Sequence, residues 1–232
     1  MIYSYLRIKY CCVLPSWGLA GVLILTLAQP SLAQSSLARE AVPVPSDPFG
    51  AAVQAVTAGD FFRANELFLM LAEQDDHEAQ FNLAILLRAG KGLPQNFVLA
   101  LEWAWLAQLG GVARAPDIAD SLIDKVLPAA QVEIASRIDT RLRDRLSRGD
   151  RAAIMQFVVF NRTILEEPDL ETAYIWSLIG AALDVQLAIE ARDELYTEFE
   201  ARIILSAQDM AHQMFLDQNM GSLFSSNSLV VR

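Results

Sequence analysis

The stretch that decides the fold is residues 79–110, AQFNLAILLRAGKGLPQNFVLALEWAWLAQLG. Two apolar segments with helical spacing flank the turn Gly90-Lys91-Gly92-Leu93-Pro94, which interrupts any helix. In the second segment, Ala100 and Ala107 flank Trp103. Small residues let two helices approach closely, and a large ring fills the gap between them. The pattern predicts a helix–turn–helix hairpin with Trp103 in its core.

A second, weaker version of this hairpin follows at residues 153–182, AIMQFVVFNRTILEEPDLETAYIWSLIGAA. The two superimpose when Ala100 is aligned with Ala173, and the match continues beyond the hairpin. At this constant offset, the other matched pairs are Trp103 with Trp176, Leu106 with Ile179, Leu122 with Leu195 and Val126 with Phe199. Either a lone hairpin or a segment of four helices is therefore the repeating unit, and each unit needs its neighbour to bury its apolar face.

Capping residues and helix breakers divide the chain. Asp47-Pro48 is a helix start and Gly59 a helix end. Later helices are predicted over residues 118–126, 128–147, 154–164, 170–183, 186–199 and 201–216. No segment alternates with a period of two, so we predict an all-α fold, an α/α superhelical solenoid of helix-turn-helix repeats. The predicted segments are a signal peptide (1–33), a linker (34–46), the helical repeat domain (47–217) and a disordered tail (218–232).

At these residues the chain resembles the Sel1-like repeats, a branch of the tetratricopeptide-like α/α superhelices. The matching positions are Ala79, Leu83-Ala84, Leu87, Gly90-Lys91-Gly92-Leu93, Asn96, Ala100-x-x-Trp103, Ala107 and Gly110. The second repeat departs from the family pattern, since Thr163 and Leu165 replace the two turn glycines. The resemblance implies a solenoid that binds other proteins, often as an adaptor or regulator in the bacterial envelope.

Composition narrows the classes of partner. Hydrophobic residues make up 53% of the chain and charged residues 20%, which supplies a packed core. The formal net charge is −10. An acidic surface repels phosphate backbones and anionic head groups, so nucleic acid and anionic membrane surfaces are poor partners. The expected partner is another protein or a peptide.

The segment 1–33 has the three parts of a secretory signal peptide. Arg7 and Lys9 precede an apolar stretch, residues 11–28, and Ser31-Leu32-Ala33 offers small residues for cleavage after Ala33. Cleavage would remove these two basic residues, no acidic residue and both cysteines. A periplasmic or secreted location is predicted. The alternative is an uncleaved membrane anchor, in which case the chain would touch the membrane.

The sequence shows no pattern typical of a catalytic, metal-binding or cofactor-binding site. The two histidines, His77 and His212, lack the converging ligands of a metal site and the nucleophile of a catalytic base. We interpret both as surface or capping residues. Glu166-Glu167 has no second carboxylate at a defined distance, and no phosphate-binding loop or nucleophile elbow occurs. We therefore predict no catalytic residue, no metal and no cofactor.

Two sets of polar residues are candidates for protein binding. Arg137, Arg141, Arg145 and Arg148 share one helix face, which we call the arginine ridge. Arginine suits the recognition of carboxylates, so the ridge is a candidate docking edge for an acidic partner. The alternative is a solvated face neutralised by Asp139, Asp144 and Asp150. Asn82 and Arg88 are the second set, on the concave face formed by the first helix of each hairpin. The alternative is that both are ordinary exposed positions.

These observations predict a non-enzymatic periplasmic or secreted repeat protein that mediates protein–protein interaction as an adaptor or regulator. The alternatives are a membrane-anchored envelope scaffold and, on compartment alone, a hydrolase acting on cell-wall material. A hydrolase would require an acid–base pair in a cleft.

Overall fold

The computed structural model describes residues 45–226, a part of the chain that contains helices and no strand. Residues 1–44, with the predicted signal peptide and most of the linker, and residues 227–232 lie outside it. The helices are α1 (Pro48–Ala58), α2 (Phe61–Glu73), α3 (His77–Ala89), α4 (Phe97–Leu109), α5 (Ala115–Ile123), α6 (Pro128–Ser147), α7 (Ala152–Thr163), α8 (Leu170–Ala182), α9 (Ala188–Tyr196), α10 (Ala201–Asp217) and α11 (Met220–Ser226).

The helix starts are capped by side chains, as predicted at Asp47. Five helices begin after an Asp or Asn whose side-chain oxygen accepts a hydrogen bond from the backbone N–H three residues later. This satisfies a donor that the helix itself leaves unpaired. These caps are Asp47, Asp60, Asp76, Asn96 and Asp169. Gly59 and Gly90 end α1 and α3 in the left-handed conformation, with φ of 79° and 66°.

Packing between helices follows their order in the chain. Successive helices pack together from α1 to α5 and again from α6 to α9, while α6 and α7 also pack on α4. This is the predicted α/α superhelical solenoid of helix hairpins. Most contacts are made between neighbours in sequence.

The repeat unit has four helices. Helices α4, α5 and α6 begin at positions 97, 115 and 128, and α8, α9 and α10 begin at 170, 188 and 201, in each case with the offset that aligns Ala100 with Ala173. The packing repeats as well, because α6 lies on α4 and α10 lies on α8. We call α3–α6 the first unit and α7–α10 the second unit. Of the two repeat lengths that the sequence left open, the four-helix unit is confirmed.

Aromatic rings fill the core of both units. Phe157 of α7 is fully buried and stands edge-on to Trp176, with ring centroids 5.5 Å apart. Trp105 is the buried indole of α4. Trp103 packs against the core but is only partly buried, with the guanidinium of Arg141 5.9 Å from its ring. Trp103, predicted to lie in the core, therefore packs at its edge, and the buried indole of α4 is Trp105.

The predicted disordered tail is wrong over residues 220–226, which form α11. Met220 and Phe224 are buried, because apolar residues four apart share one side of this short helix. Leu223 places its backbone against Gly149, where a Cβ atom would overlap its carbonyl oxygen. The glycine therefore lets α11 dock on the α6–α7 turn. The serine-rich composition of the tail suggested disorder, although Met220 and Phe224 have helical spacing.

Candidate functional site

A groove of about 980 Å³ lies between the two units; we call it the central groove. Its walls are α4, the end of α5, the α5–α6 turn, α6 as far as Arg143, the end of α7 and the loop before α8. Apolar side chains line much of it, namely Trp105, Ile123, Val126, Leu127, Val132, Ile164 and Leu165. Two of its lining residues, Leu127 and Val132, are 77% and 58% exposed, so the groove presents apolar surface to solvent.

The α5–α6 turn holds Leu127 in the groove. Pro128 is the first residue of α6, and a residue before proline is restricted to the extended conformation that Leu127 adopts, with φ −59° and ψ 143°. Gln131 then clamps the turn, because its side-chain amide donates to the carbonyl oxygens of Ile123 and Val126 at 2.9 and 2.8 Å. The exposed leucine is therefore fixed by local structure.

The charge around the central groove is predominantly acidic. Asp120, Asp124 and Glu166 line it and are exposed to solvent. The groove's arginine, Arg143, is held by Asp139 at 2.7 Å. Its lysine, Lys125, donates to the carbonyl oxygen of Ser121. The surface thus combines an apolar floor with an acidic rim, and its lining includes no His or Cys. Such a surface suits a segment with apolar and cationic side chains.

The arginine ridge lies at an internal contact for most of its length. Arg137 pairs with Glu102 of α4 at 2.6 Å, and this hydrogen bond raises the pKa of Arg137 above its ordinary value, against the opposing effect of burial. Arg141 donates to Asp75 at 2.7 Å and also to the last carbonyl oxygens of α2. Arg148 pairs with Asp144 on the exposed side of α6. A partner for this ridge stays a prediction, and Arg137 and Arg141 already bind residues of the chain itself.

Arg145 begins a buried polar network that joins the two units. Its side chain is 8% exposed and contacts Asp150 at 2.7 Å and Asp75 at 3.4 Å. It also donates to Oε1 of Gln156 at 2.6 Å. The amide nitrogen of Gln156 lies 3.0 Å from Nε2 of His77, so it is the donor and Nε2 the acceptor.

His77 passes this network on to α2. Its Nδ1 lies 3.0 Å from Oε1 of Gln80, which is fully buried, and Gln80 donates to the carbonyl oxygen of Ala72. The imidazole packs against Gly110, where a Cβ atom would overlap the ring. Interpreting His77 as a surface or capping residue was therefore incomplete. It connects α2, α3, α4 and α7, and no local sequence signal could have placed Gln156 beside it.

The other predicted binding residues also have partners within the chain. The side-chain amide of Asn82 donates to the carbonyl oxygen of Glu78 at 2.7 Å, one turn earlier in α3. Arg88 donates to the hydroxyl of Ser121 on α5 at 2.9 Å. Both are half-buried, and neither lines the central groove. Their role in binding stays a prediction.

A smaller groove of about 430 Å³ lies between α8 and α10; we call it the terminal groove. Its lining includes Leu178, Gln208, His212 and Leu216. When the units are aligned by Ala100 and Ala173, each of these four matches a residue of the central groove, respectively Trp105, Ala135, Asp139 and Arg143. The two grooves therefore occupy equivalent positions in the two units, but α7 forms one wall of the first.

Residues 45–226 contain neither a cluster of metal ligands nor a membrane-spanning helix. Within them, no three His, Cys, Asp or Glu side chains converge as a metal site would require. In the same range, no helix has both the length and the apolar composition needed to span a membrane.

No protein-family model matches the chain, and no curated protein matches it. Among solved structures, it is similar to a protective antigen present in uropathogenic Escherichia coli strains that displays an SLR (Sel1-like repeat) fold. The identity is 18% and the TM-score 0.32, over 80% of this chain and 48% of that one, so this chain spans about half of that structure's length. With a TM-score this low, the fold assignment rests on the helices and their packing alone.

Proposed function

We propose that the chain is a non-enzymatic, Sel1-like helical repeat protein that binds another protein through its central groove. The observation that carries this proposal is the pairing of exposed aliphatic side chains with an acidic rim between the two repeat units. Exposed apolar patches rimmed by polar residues are typical of interaction sites.

The binding mechanism follows from this surface. Leu127 and Val132 provide apolar area that a bound segment removes from water, which supplies most of the affinity. Asp120, Asp124 and Glu166 attract lysine or arginine side chains, which speeds association and selects against acidic segments. The bound segment is then both apolar and cationic.

A peptide-binding experiment tests this mechanism. The probe is a fluorescent amphipathic peptide of Leu and Lys, and its control is the same peptide with Glu in place of Lys. Fluorescence anisotropy should show binding of the first peptide, at least about tenfold weaker binding of the second, and a loss of affinity as salt is raised.

Matched variants locate the site. Leu127→Asp and Asp120→Lys should each weaken binding of the Lys peptide by about threefold to tenfold, since an exposed anchor or a rim charge is lost. Asp117→Lys, on the outer part of α5, and Val53→Asp, on α1, are controls that lie outside the groove. Equal affinity for the two peptides, or equal losses in the control variants, would refute the proposal.

We also propose that the protein is exported to the bacterial envelope, as a periplasmic or secreted protein. The basic, apolar and small-residue parts of residues 1–33 support this proposal. N-terminal sequencing of protein recovered from the envelope fraction tests it, with Gln34 expected as the first residue. An intact Met1 in the membrane fraction would instead indicate an anchored scaffold.

A further inference from the structure

The terminal groove is a face that the first unit covers and the second leaves open. In the first unit, α7 packs against α4 and α6, and its residues Phe160, Asn161 and Thr163 wall the central groove. In the second unit the next helix after α10 is the short helix α11. Leu223 of α11 lies against Gly149, and α11 contributes no residue to the terminal groove.

Four residues on the exposed face of α10 have a symmetric spacing. Leu205, Asp209, His212 and Leu216 follow one another at spacings of four, three and four, and all four are exposed. At the helical rotation of about 100° per residue they fall within about 60° of each other, so they form one stripe along the helix. Two of them, His212 and Leu216, also line the terminal groove. We call these four residues the α10 stripe.

We propose that two copies of this chain associate through the α10 stripe, with the two α10 helices antiparallel about a twofold axis. The axis passes between positions 210 and 211. It sets Leu205 of one copy opposite Leu216 of the other, and Asp209 opposite His212. A twofold interface requires a self-complementary surface, and the symmetric spacing of the stripe provides one.

Charge complementarity within the stripe supports a second copy as the occupant. The chain has a formal net charge of −10, so two copies repel each other over most of their surfaces. The stripe has a single carboxylate, Asp209, and the antiparallel arrangement places it against an imidazole N–H donor. The acidic rim of the central groove offers no such match, which distinguishes the two surfaces.

Apolar area in the same region provides the affinity. Leu205 and Leu216 are 63% and 61% exposed, and the half-buried Leu178 and Phe215 line the adjoining terminal groove. Every contact occurs twice in a twofold dimer. One helix pair with its flanking groove is at the small end of the range of stable interfaces, so the expected dissociation constant is in the micromolar range.

Sedimentation velocity on the purified protein, over a concentration series of about 1–100 µM, tests the proposal. The wild-type protein should shift from monomer to dimer across the series. Leu216→Glu should raise the dissociation constant at least about tenfold, because it buries two unpaired carboxylates per dimer. Met210→Glu is the matched control, since Met210 is an exposed apolar residue of α10 that lies off the stripe.

A charge exchange separates pairing from a general loss of folding. His212→Asp should weaken the dimer, because it sets carboxylates against each other twice. The double variant Asp209→His/His212→Asp should restore the dimer, because the antiparallel pairing is again Asp against His. Circular dichroism checks that each variant is folded.

A wild-type protein that stays monomeric throughout the series would overturn the proposal. So would a Met210→Glu variant that dissociates as readily as Leu216→Glu, or a double variant no stronger than His212→Asp. Dimers that persist in Leu216→Glu would place the interface elsewhere. Peptide binding in the central groove is measured separately, so either proposal can fail without the other.

Discussion

Replacing Gly110 with alanine should destabilise the junction between the units, although nothing in the local backbone requires glycine there. Gly110 follows α4 with φ of −78°, a conformation open to every residue. The obstacle is His77, whose ring occupies the space that a Cβ atom would take. The methyl group of alanine must therefore displace the imidazole.

The cost follows from the hydrogen bonds that the ring makes. Displacement breaks the contacts of His77 with Gln80 and Gln156, which are 0% and 6% exposed. Each stranded buried amide costs about 1–3 kcal/mol. Alanine returns at most about 1 kcal/mol over glycine near a helix end. With two such amides stranded, the net loss in unfolding free energy is about 1–5 kcal/mol.

Two companion variants make the reasoning specific. Gly111→Ala meets no neighbouring atom but has φ of +84°, so it should cost only about 1–2 kcal/mol of backbone strain. The double variant His77→Ala/Gly110→Ala should be no less stable than His77→Ala alone, because the ring that the methyl group would strike is gone. The two substitutions are therefore strongly non-additive.

Urea unfolding, followed by circular dichroism and tryptophan fluorescence, measures these differences. The two probes must give coincident transitions, since an array of repeats can unfold in parts. A Gly110→Ala protein within about 0.5 kcal/mol of wild type would refute this account, since surface substitutions without such a mechanism usually fall in that range. Additive losses in the double variant would refute it as well.

Other substitutions test the remaining contacts by the same unfolding assay. Arg145→Met should cost about 1–3 kcal/mol, because it leaves the buried amide oxygen of Gln156 unpaired, and a loss below about 0.5 kcal/mol would contradict the network. Arg137→Met should cost less than about 1 kcal/mol, because the pair with Glu102 is partly exposed. This pair raises the pKa of Arg137, so its contribution to stability is lost only as the pH rises through that raised pKa. The loss measured at about pH 7 and at about pH 10 should therefore agree. Asn96→Ala and Asp169→Ala should each cost about 1 kcal/mol through the lost helix cap, and cost-free replacement would contradict the capping assignment.

Local signals made much of the fold predictable. The bounds of α6, residues 128–147, were predicted without error, because Pro128 fixes its start and Gly149 permits the turn that follows. The alignment of the two units was also visible in the sequence, because α4 and α8 keep the same apolar and small positions. Such features depend on residues only a few positions apart within each helix.

The functional surfaces were less predictable, because their partners are distant in sequence. The arginine ridge is visible as a helix face, but Arg137 meets Glu102 and Arg141 meets Asp75, 35 and 66 residues away. Periodicity identifies which residues share a face but not what covers that face. The central groove was missed for the same reason, since its walls come from four helices and two connecting segments.

The equal spacing of the two units has a consequence for how the gene can change. Asn96 and Asp169 occupy equivalent positions in the two units, and each accepts the backbone N–H of the third residue after it. Unequal crossing-over between these two points would remove or add one whole unit while keeping a cap at the junction. A chain shortened in this way would join α3 directly to α8, and a lengthened one would gain another inter-unit groove.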